Sequence, residues 1–439
     1  MQKTICFFLL ILIINSGFSQ NLERRASFIS KISWPNNTTP GAKIKEIIKN
    51  SPLEKAGFKT GDLIINIDDK PVLNQEDWSA IIYSLKSTSD TKIQVKRNNV
   101  FITKKVLLKA LPLEENTNVK TIYETIVSDY GIKQRAIITI PNGNMQKKQP
   151  AIIIIQGLSC SSVEKYSGRS NNWVKLIKDI VEKSNVVVMR IEKPGVGDSE
   201  GDCAEVDFLT ELNGYESAIK TLKEKSYVDT SKIIVYGNSM GSALAPYLAN
   251  KYNLAGIISD GTFFKSWYEH MLEIERRILE IEGKNQEEIY RLMNTVYIPL
   301  YYEMLIKKKS FEDILNDNPT YTVYHRQGMN HMYGRSMKYY HQIQNFNFAK
   351  HWENVKVPVR IRWGTNDWIM TEYDNDMIIN VLKTKGHKNH KLYKYKNLDH
   401  WSTIHPNYAN SYAFKPGKWE NKISQQIIDW TWEIINTIK

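Results

Sequence analysis

The sequence predicts two folded units: a small α+β domain, then a larger α/β domain whose mostly parallel sheet carries helices on both faces. Three observations lead there. The chain has 439 residues, too many for one ordinary domain and ample for two. The stretch Pro112-Leu113-Glu114-Glu115-Asn116-Thr117-Asn118 is polar and lacks periodicity, so residues 112–120 read as a linker. Beyond it, continuous β-branched apolar runs alternate with helical patterns, as strands buried on both faces of a parallel sheet do.

The first twenty residues stand apart. Lys3 precedes an unbroken apolar run from Ile5 to Ile14, and the small residues Gly17 and Ser19 follow. That layout predicts a secretory signal peptide over 1–19, cut near Ser19 and Gln20, and the run is too short to span a bilayer. No later segment has the length and apolarity of a membrane span. The mature protein is expected to be secreted or periplasmic. Cys6 leaves with the peptide, so Cys160 and Cys203 remain, and an even pair in an oxidising compartment is a disulfide candidate. The net charge of +12 comes from scattered lysines, without an arginine-rich stripe interleaved with aromatics. This reads as a solvated basic surface and argues against a nucleic-acid partner.

In the first domain, residues 25–111, Ala42 to Ile48 alternates and reads as a strand. Ser51-Pro52 opens a short helical turn that Gly57 ends. Leu63 to Ile67 is a second strand. Asp77 to Leu85 is an amphipathic helix with Trp78, Ile81, Ile82 and Leu85 on one face. Lys92 to Arg97 and Phe101 to Leu107 form a hairpin about Asn98-Asn99. The block Asn50-Ser51-Pro52-Leu53-Glu54-Lys55-Ala56-Gly57-Phe58-Lys59-Thr60-Gly61-Asp62-Leu63-Ile64, with Ile67-Asp68-Asp69-Lys70-Pro71-Val72, resembles a PDZ domain of the bacterial, secreted type. The resemblance implies a C-terminal peptide partner bound by strand addition. Ser33 to Gly41 carries no carboxylate-binding loop of the Gly-Leu-Gly-Phe type, and a structural or gating domain is the alternative.

In the second domain, residues 121–439, strands are expected at Ala136 to Ile140, Ala151 to Ile155, Val186 to Ile191, Ile233 to Tyr236, Gly256 to Ser259, Val359 to Trp363 and Lys391 to Tyr395. A closing helix is expected from Lys422 to Ile438. Residues 262–350 read as long aromatic-rich helices without a strand, an insertion suited to a cap. Its aromatics, among them Phe263, Trp267, Tyr301, Tyr333 and Tyr340, divide between core and cavity in a way the sequence leaves open.

Ile233-Ile234-Val235-Tyr236 runs into Gly237-Asn238-Ser239-Met240-Gly241, and Ser242 to Leu248 reads as a helix. This is G-x-S-x-G between strand and helix: Gly237 and Gly241 permit a sharp elbow that lifts Ser239 above the sheet edge. A serine hydroxyl needs a base to take its proton. Asp367, on the loop after Val359 to Trp363, is the acid candidate, and His400, on the loop after Lys391 to Tyr395, is the base candidate. Asp260, Asp374 and Asp376 compete for the acid and His405 for the base. An oxyanion needs two N–H donors, one of them Met240 after the nucleophile.

With Glu192-Lys193-Pro194-Gly195-Val196-Gly197-Asp198-Ser199, similar to an Asp-x-Arg-Gly-x-Gly-x-Ser loop, four motifs stand in order, and residues 120–439 resemble an α/β-hydrolase of the esterase and prolyl-oligopeptidase-like branches. The resemblance implies an eight-stranded, mostly parallel sheet and hydrolysis through an acyl-enzyme, with no metal or organic cofactor. It places the second oxyanion donor at Leu158, with Ser159 next, in Gln156-Gly157-Leu158-Ser159-Cys160, where Gln156 replaces the usual His. It also puts Cys160 and Cys203 after neighbouring strands, which implies a disulfide worth about 4 kcal/mol in chain entropy. The expected activity is hydrolysis of small carboxylic esters. The rivals are a serine peptidase acting on short peptides and a binding protein with an inactive hydrolase domain.

Overall fold

The computed structural model describes residues 22–28, 30–33, 40–73, 75–142, 147–165, 171–324 and 331–438. The expected signal peptide and residues 34–39 of the stretch before the second PDZ strand lie outside them.

The first unit is an antiparallel sheet in the order β1 (Ser30–Ser33), β2 (Ala42–Ile47), β3 (Leu63–Ile67), β4 (Asp90–Arg97), β5 (Val100–Leu107), with helices α1 (Pro52–Lys55) and α2 (Gln75–Ser84). Ser51 caps α1 by accepting the Glu54 N–H at 3.2 Å. Asn98 and Asn99 both take positive φ, 48° and 63°, the paired left-handed conformation of a two-residue hairpin turn. Ile44, Ile64, Ile93 and Val95 point inward, with Leu53 and Leu85 packed over them.

The second unit is an eight-stranded sheet. Its strands are β6 (Val119–Val127), β7 (Lys133–Pro141), β8 (Gln149–Ile155), β9 (Val187–Ile191), β10 (Val228–Asn238), β11 (Gly256–Asp260), β12 (Val359–Gly364) and β13 (His390–Tyr395). They lie in the order β6-β7-β9-β8-β10-β11-β12-β13. Only β6–β7 and β7–β9 pair antiparallel. This is the mostly parallel sheet that was expected. Its alternation explains the unbroken apolar runs. Ile153, Val235 and Ile257 face one core with α4 (Phe208–Lys223) and α5 (Met240–Tyr252). Ile152, Ile154, Ile234 and Ile258 face another with α3 (Asn172–Lys183) and the closing helix Lys422–Thr437. Each strand therefore needs apolar side chains in both directions.

Three details differ from the sequence reading. Strand β6 begins at Val119, inside the expected linker. Glu114, also in that stretch, is fully buried: it pairs with the buried Arg190 guanidinium (Nη1 to Oε2 3.1 Å) and accepts the Lys165 N–H at 2.9 Å. Its neighbours Glu115, Thr117 and Asn118 are exposed as a linker would be, whereas Glu114 answers a buried charge that lies far along the chain. The insertion, expected to lack strands, holds a two-stranded ribbon, His331–Met332 against Arg335–Ser336. Its strands are two residues long, too short to show an alternating pattern, and Tyr333 and Gly334 turn it with φ of 50° and 71°.

Cys160 and Cys203 form the expected disulfide, joining the loops after β8 and β9. The first unit seats on the same loops. Arg24 and Arg25 pair with the buried Glu164, Arg24 also reaches Asp198, and Lys86 Nζ donates to the Gly197 carbonyl at 3.0 Å. Among the described residues no helix is long and apolar enough to cross a membrane.

Removing one partner of a buried pair strands the other charge, at about 3–5 kcal/mol. Glu114→Gln is therefore expected to lower the unfolding free energy by about that amount in urea titration. An unchanged midpoint would show that Arg190 finds another acceptor.

Candidate active site

The sheet's carboxyl edge is shaped by the turn from β10 into α5. Ser239 sits there with φ 54° and ψ −122°, outside the ordinary regions for a residue with a Cβ. Neighbours hold it in place. Its N–H donates to the Asp260 carbonyl at 2.8 Å, and its own carbonyl accepts from the Ser242 N–H and hydroxyl. A Cβ on Gly237 would lie 2.2 Å from the Gly241 carbonyl oxygen, and one on Gly241 would lie 2.2 Å from that of Ile155. Both positions therefore exclude every other residue.

Asp367 and His400 come together from the loops after β12 and β13. His400 Nδ1 lies 2.8 Å from Asp367 Oδ2, both groups buried. Oδ1 of Asp367 accepts the N–H groups of Ile369 and Met370 at 2.9 and 2.8 Å, which orients the carboxylate. Burial alone would push Asp367 up, but the His400 ring and these N–H groups bring it below its ordinary value. Burial works in the opposite sense on His400, yet Asp367, with Asp260 and Asp399 behind it, leaves its pKa raised. Ser239 and the His400 ring line one cavity, and no direct hydrogen bond joins them in this structure.

The competing residues are engaged elsewhere. Asp260 pairs with Arg362 and accepts from the Tyr236 hydroxyl at 2.8 Å. Asp374 lies in the first turn of the helix Glu372–Thr384, where its N–H donates to the capping Thr371 hydroxyl at 2.8 Å and its carboxylate accepts the Phe264 N–H at 3.0 Å. Asp376 is on the surface against Lys394. His405 lies 3.3 Å from Asp399. Met240 stands at the first position of α5, and Leu158 and Ser159 line the cavity across from it. Gln156 is buried with its amide toward the Ile191 carbonyl at 3.4 Å. Gly157 passes so close that a Cβ there would lie 3.0 Å from Ser239 Cβ.

The cavity measures about 710 Å³. Trp173, Phe263, Trp267, Tyr333, Trp368 and Trp401 bring six aromatic rings to its wall, and among the described residues no Asp, Glu, Lys or Arg lines it. His270 also lines it, stacked on Phe263 at 4.5 Å, and burial, helped by Arg277 and Lys265, drops its pKa to about 3, so it is neutral. Sequence reasoning missed the tryptophans Trp173, Trp368 and Trp401. Two of them directly follow the acid and base candidates, and that adjacency was the available signal. Of the insertion's aromatics, Tyr301 and Tyr340 are packed into the core.

The doubly covered sheet and the strand–elbow–helix turn define an α/β-hydrolase of the serine type. Residues 163–401, more than half of the chain, match the family described as serine aminopeptidase, S33, and the chain belongs to that family. Residues 27–108 match the PDZ domain family, so a PDZ domain precedes the hydrolase. A curated relative, the esterase EstD of Thermotoga maritima, is 22% identical over 268 residues, 60% of this chain; the chain spans 56% of that relative's length. A probable periplasmic DegP-like serine endoprotease of Pseudomonas fulva is 25% identical over 75 residues, 17% of this chain and 16% of its own. Among solved structures, the Pyrococcus furiosus esterase Pf2001 covers 75% of this chain and 97% of its own, with TM-score 0.45 and 12% identity. The ferulic acid complex of Est1E from Butyrivibrio proteoclasticus covers 72% of this chain and 99% of its own, with TM-score 0.45 and 15% identity.

The carboxylates around His400 make a direct prediction. Its ring should titrate above the ordinary histidine value of about 6.5 in NMR, and Asp367→Asn should move that midpoint downward. A ring that titrates below 6.5 in the unaltered protein would mean that burial outweighs Asp367.

Proposed function

We propose that this protein hydrolyses neutral carboxylic esters with a bulky apolar or aromatic part through an acyl-enzyme on Ser239. Ser239 Oγ attacks the ester carbon while His400 Nε2 takes its proton. The proton then passes to the departing alcohol oxygen. Water, deprotonated by the same ring, releases the acid and frees Ser239. Asp367 holds the ring with Nδ1–H toward itself, which leaves Nε2 as the acceptor, and it stabilises the imidazolium. The Met240 and Leu158 N–H groups receive the oxyanion. The Asp367–His400 hydrogen bond beside Ser239, at a cavity with no charged wall residue among those described, carries this reading. The hydroxyl and ring need to close to hydrogen-bonding distance only when substrate is bound.

The lining also bears on the peptidase alternative that the family's name brings forward. An aminopeptidase must hold the substrate's α-ammonium, and a buried ammonium requires a carboxylate partner. No Asp or Glu among the described residues lines this cavity. A bulky neutral ester needs apolar wall and shape, which the tryptophans supply. The signal-like leader supports a site of action outside the cytoplasm.

Ser239→Ala is expected to abolish labelling by a fluorophosphonate probe and to lower kcat on a p-nitrophenyl ester by about 10⁴-fold or more. Equal labelling of both proteins would remove Ser239 from the mechanism and leave the binding-protein reading. Offered side by side, aryl esters should turn over faster than aminoacyl amides; the reverse preference would favour the peptidase. Because only the neutral ring accepts the serine proton, kcat/KM should rise with pH through a midpoint above about 6.5, the ordinary histidine value. A profile flat from pH 5 to 9 would exclude His400 as the base.

A further inference from the structure

Neither the proposed chemistry nor the cavity wall uses Lys193, Glu211 and Arg335, although all three side chains are buried. They converge from different places. Lys193 lies on the loop after β9, Glu211 in the first turn of α4, and Arg335 in the ribbon of the insertion. An ammonium has three protons to donate, and leaving any of them unpartnered in the interior is costly. Lys193 Nζ finds three acceptors: the Gly157 carbonyl at 2.5 Å, the Leu158 carbonyl at 3.0 Å and Glu211 Oε1 at 3.2 Å. Arg335 doubles the arrangement. Its Nη1 donates to the same Leu158 carbonyl at 3.1 Å and its Nη2 to Glu211 Oε2 at 2.6 Å, while its guanidinium lies 4.2 Å over the Tyr339 ring.

The acceptors are what matter. In a trans peptide unit the carbonyl and the following N–H point in opposite directions. Drawing the Gly157 and Leu158 carbonyls back toward two cations therefore turns the N–H groups of Leu158 and Ser159 the other way. Gly157, Leu158 and Ser159 line the cavity while Lys193 and Arg335 do not, and Gly157 passes against Ser239 there.

We propose that Lys193, braced by Glu211 and Arg335, is a positioning residue that aims the second oxyanion donor, and that Arg335 makes this aim depend on how the insertion is seated. The inference rests on the acyl-enzyme reading above. Burial, reinforced by Arg335 and opposed by Glu211, lowers the Lys193 pKa to about 8, so at neutral pH the group is still mainly an ammonium with all three protons. The arrangement also accounts for three buried ionic groups that simple packing would replace with apolar side chains.

The test compares Lys193→Met, Lys193→Arg, Arg335→Lys and Ser239→Ala in the full chain, by thermal melting, kcat and KM on a p-nitrophenyl ester, and the affinity of a trifluoromethyl ketone that forms a tetrahedral adduct. Losing one oxyanion donor outright lowers kcat by about 10²–10³-fold. A misaimed donor should cost less, so Lys193→Met is expected to lower kcat by about 10- to 100-fold with KM within about twofold, and to weaken the ketone by a similar factor. Lys193→Arg should fall between that variant and the unaltered protein. A folded Lys193→Met with unchanged kcat and ketone affinity, or with only a raised KM, would overturn the inference. If Lys193→Met does not fold, Lys193→Arg and Arg335→Lys decide it, because both keep the buried charge and change only donor geometry. Each should then lose kcat and ketone affinity together, and the inference fails if neither does. Ser239→Ala separates the two levels. Activity retained there defeats the acyl-enzyme reading itself, whereas a dead Ser239→Ala beside a fully active Lys193→Met defeats the clamp alone.

Discussion

Between β10 and α5 the backbone reverses so tightly that Gly237 and Gly241 each lie against main-chain atoms, with room at neither for one further carbon. Ser239, between them, holds a conformation that residues with a Cβ rarely adopt. Such strain costs of order 1–3 kcal/mol and persists only where the surroundings over-determine it. Here they do. Asp260 binds the Ser239 N–H through its backbone, and its carboxylate ties Arg362 on β12 to Tyr236 on β10. Three neighbouring strand ends are thereby cross-braced directly beneath the elbow, and every other part of the site takes its position from that fixed point.

Buried charge in this protein is sorted by place. The cavity wall carries none among the described residues, while a dense set lies behind it: Arg190 with Glu114, Arg24 and Arg25 with Glu164 and Asp198, and Lys193 and Arg335 with Glu211. The sorting has a physical use. Backbone N–H groups stabilise developing negative charge best in a dry environment of low dielectric. Cations facing the cavity would bring water with them. Placed behind the loops, they act on carbonyl groups and so on peptide orientation. The loops after β8 and β9 collect most of these contacts as well as the Cys160–Cys203 disulfide. The PDZ domain is seated on the same two loops.

The insertion contributes apolar surface to the cavity and charged reaches around it, Arg335 to the Leu158 carbonyl and Arg277 to that of Trp368. Phe263 and Trp267 supply wall, while Trp267 also leans on Tyr340 with ring centroids 5.2 Å apart. Aromatic rings serve both ends because they bury large area with few rotatable bonds. Opposite them, Trp368 and Trp401 are carried by the very loops that bear Asp367 and His400, their ring centroids 6.2 Å apart. The proposed acid and base therefore move only together with a large piece of the cavity wall.

Much of this was legible in the amino-acid sequence alone, for reasons of range. Continuous apolar runs disclose strands covered on both faces, a Gly-x-Ser-x-Gly between strand and helix discloses the elbow, and Asn98-Asn99 discloses a hairpin, because each is dictated by neighbours a few residues away. The PDZ domain and the eight-stranded sheet were implied by family resemblance in longer motif blocks, and the disulfide by an even pair of cysteines together with that resemblance. Tertiary structure decided the rest. Whether Asp367 or Asp260 meets His400 depends on which carboxylate Arg362 has already claimed. Whether Glu114 is linker or core depends on Arg190, 76 residues away. The grip of Lys193 on the Gly157 carbonyl spans 36 residues, and that of Arg335 on Leu158 spans 177. A charged residue in a sequence reads as surface because its partner is invisible there, and only when the chain is folded does the low dielectric around it compel the pairing.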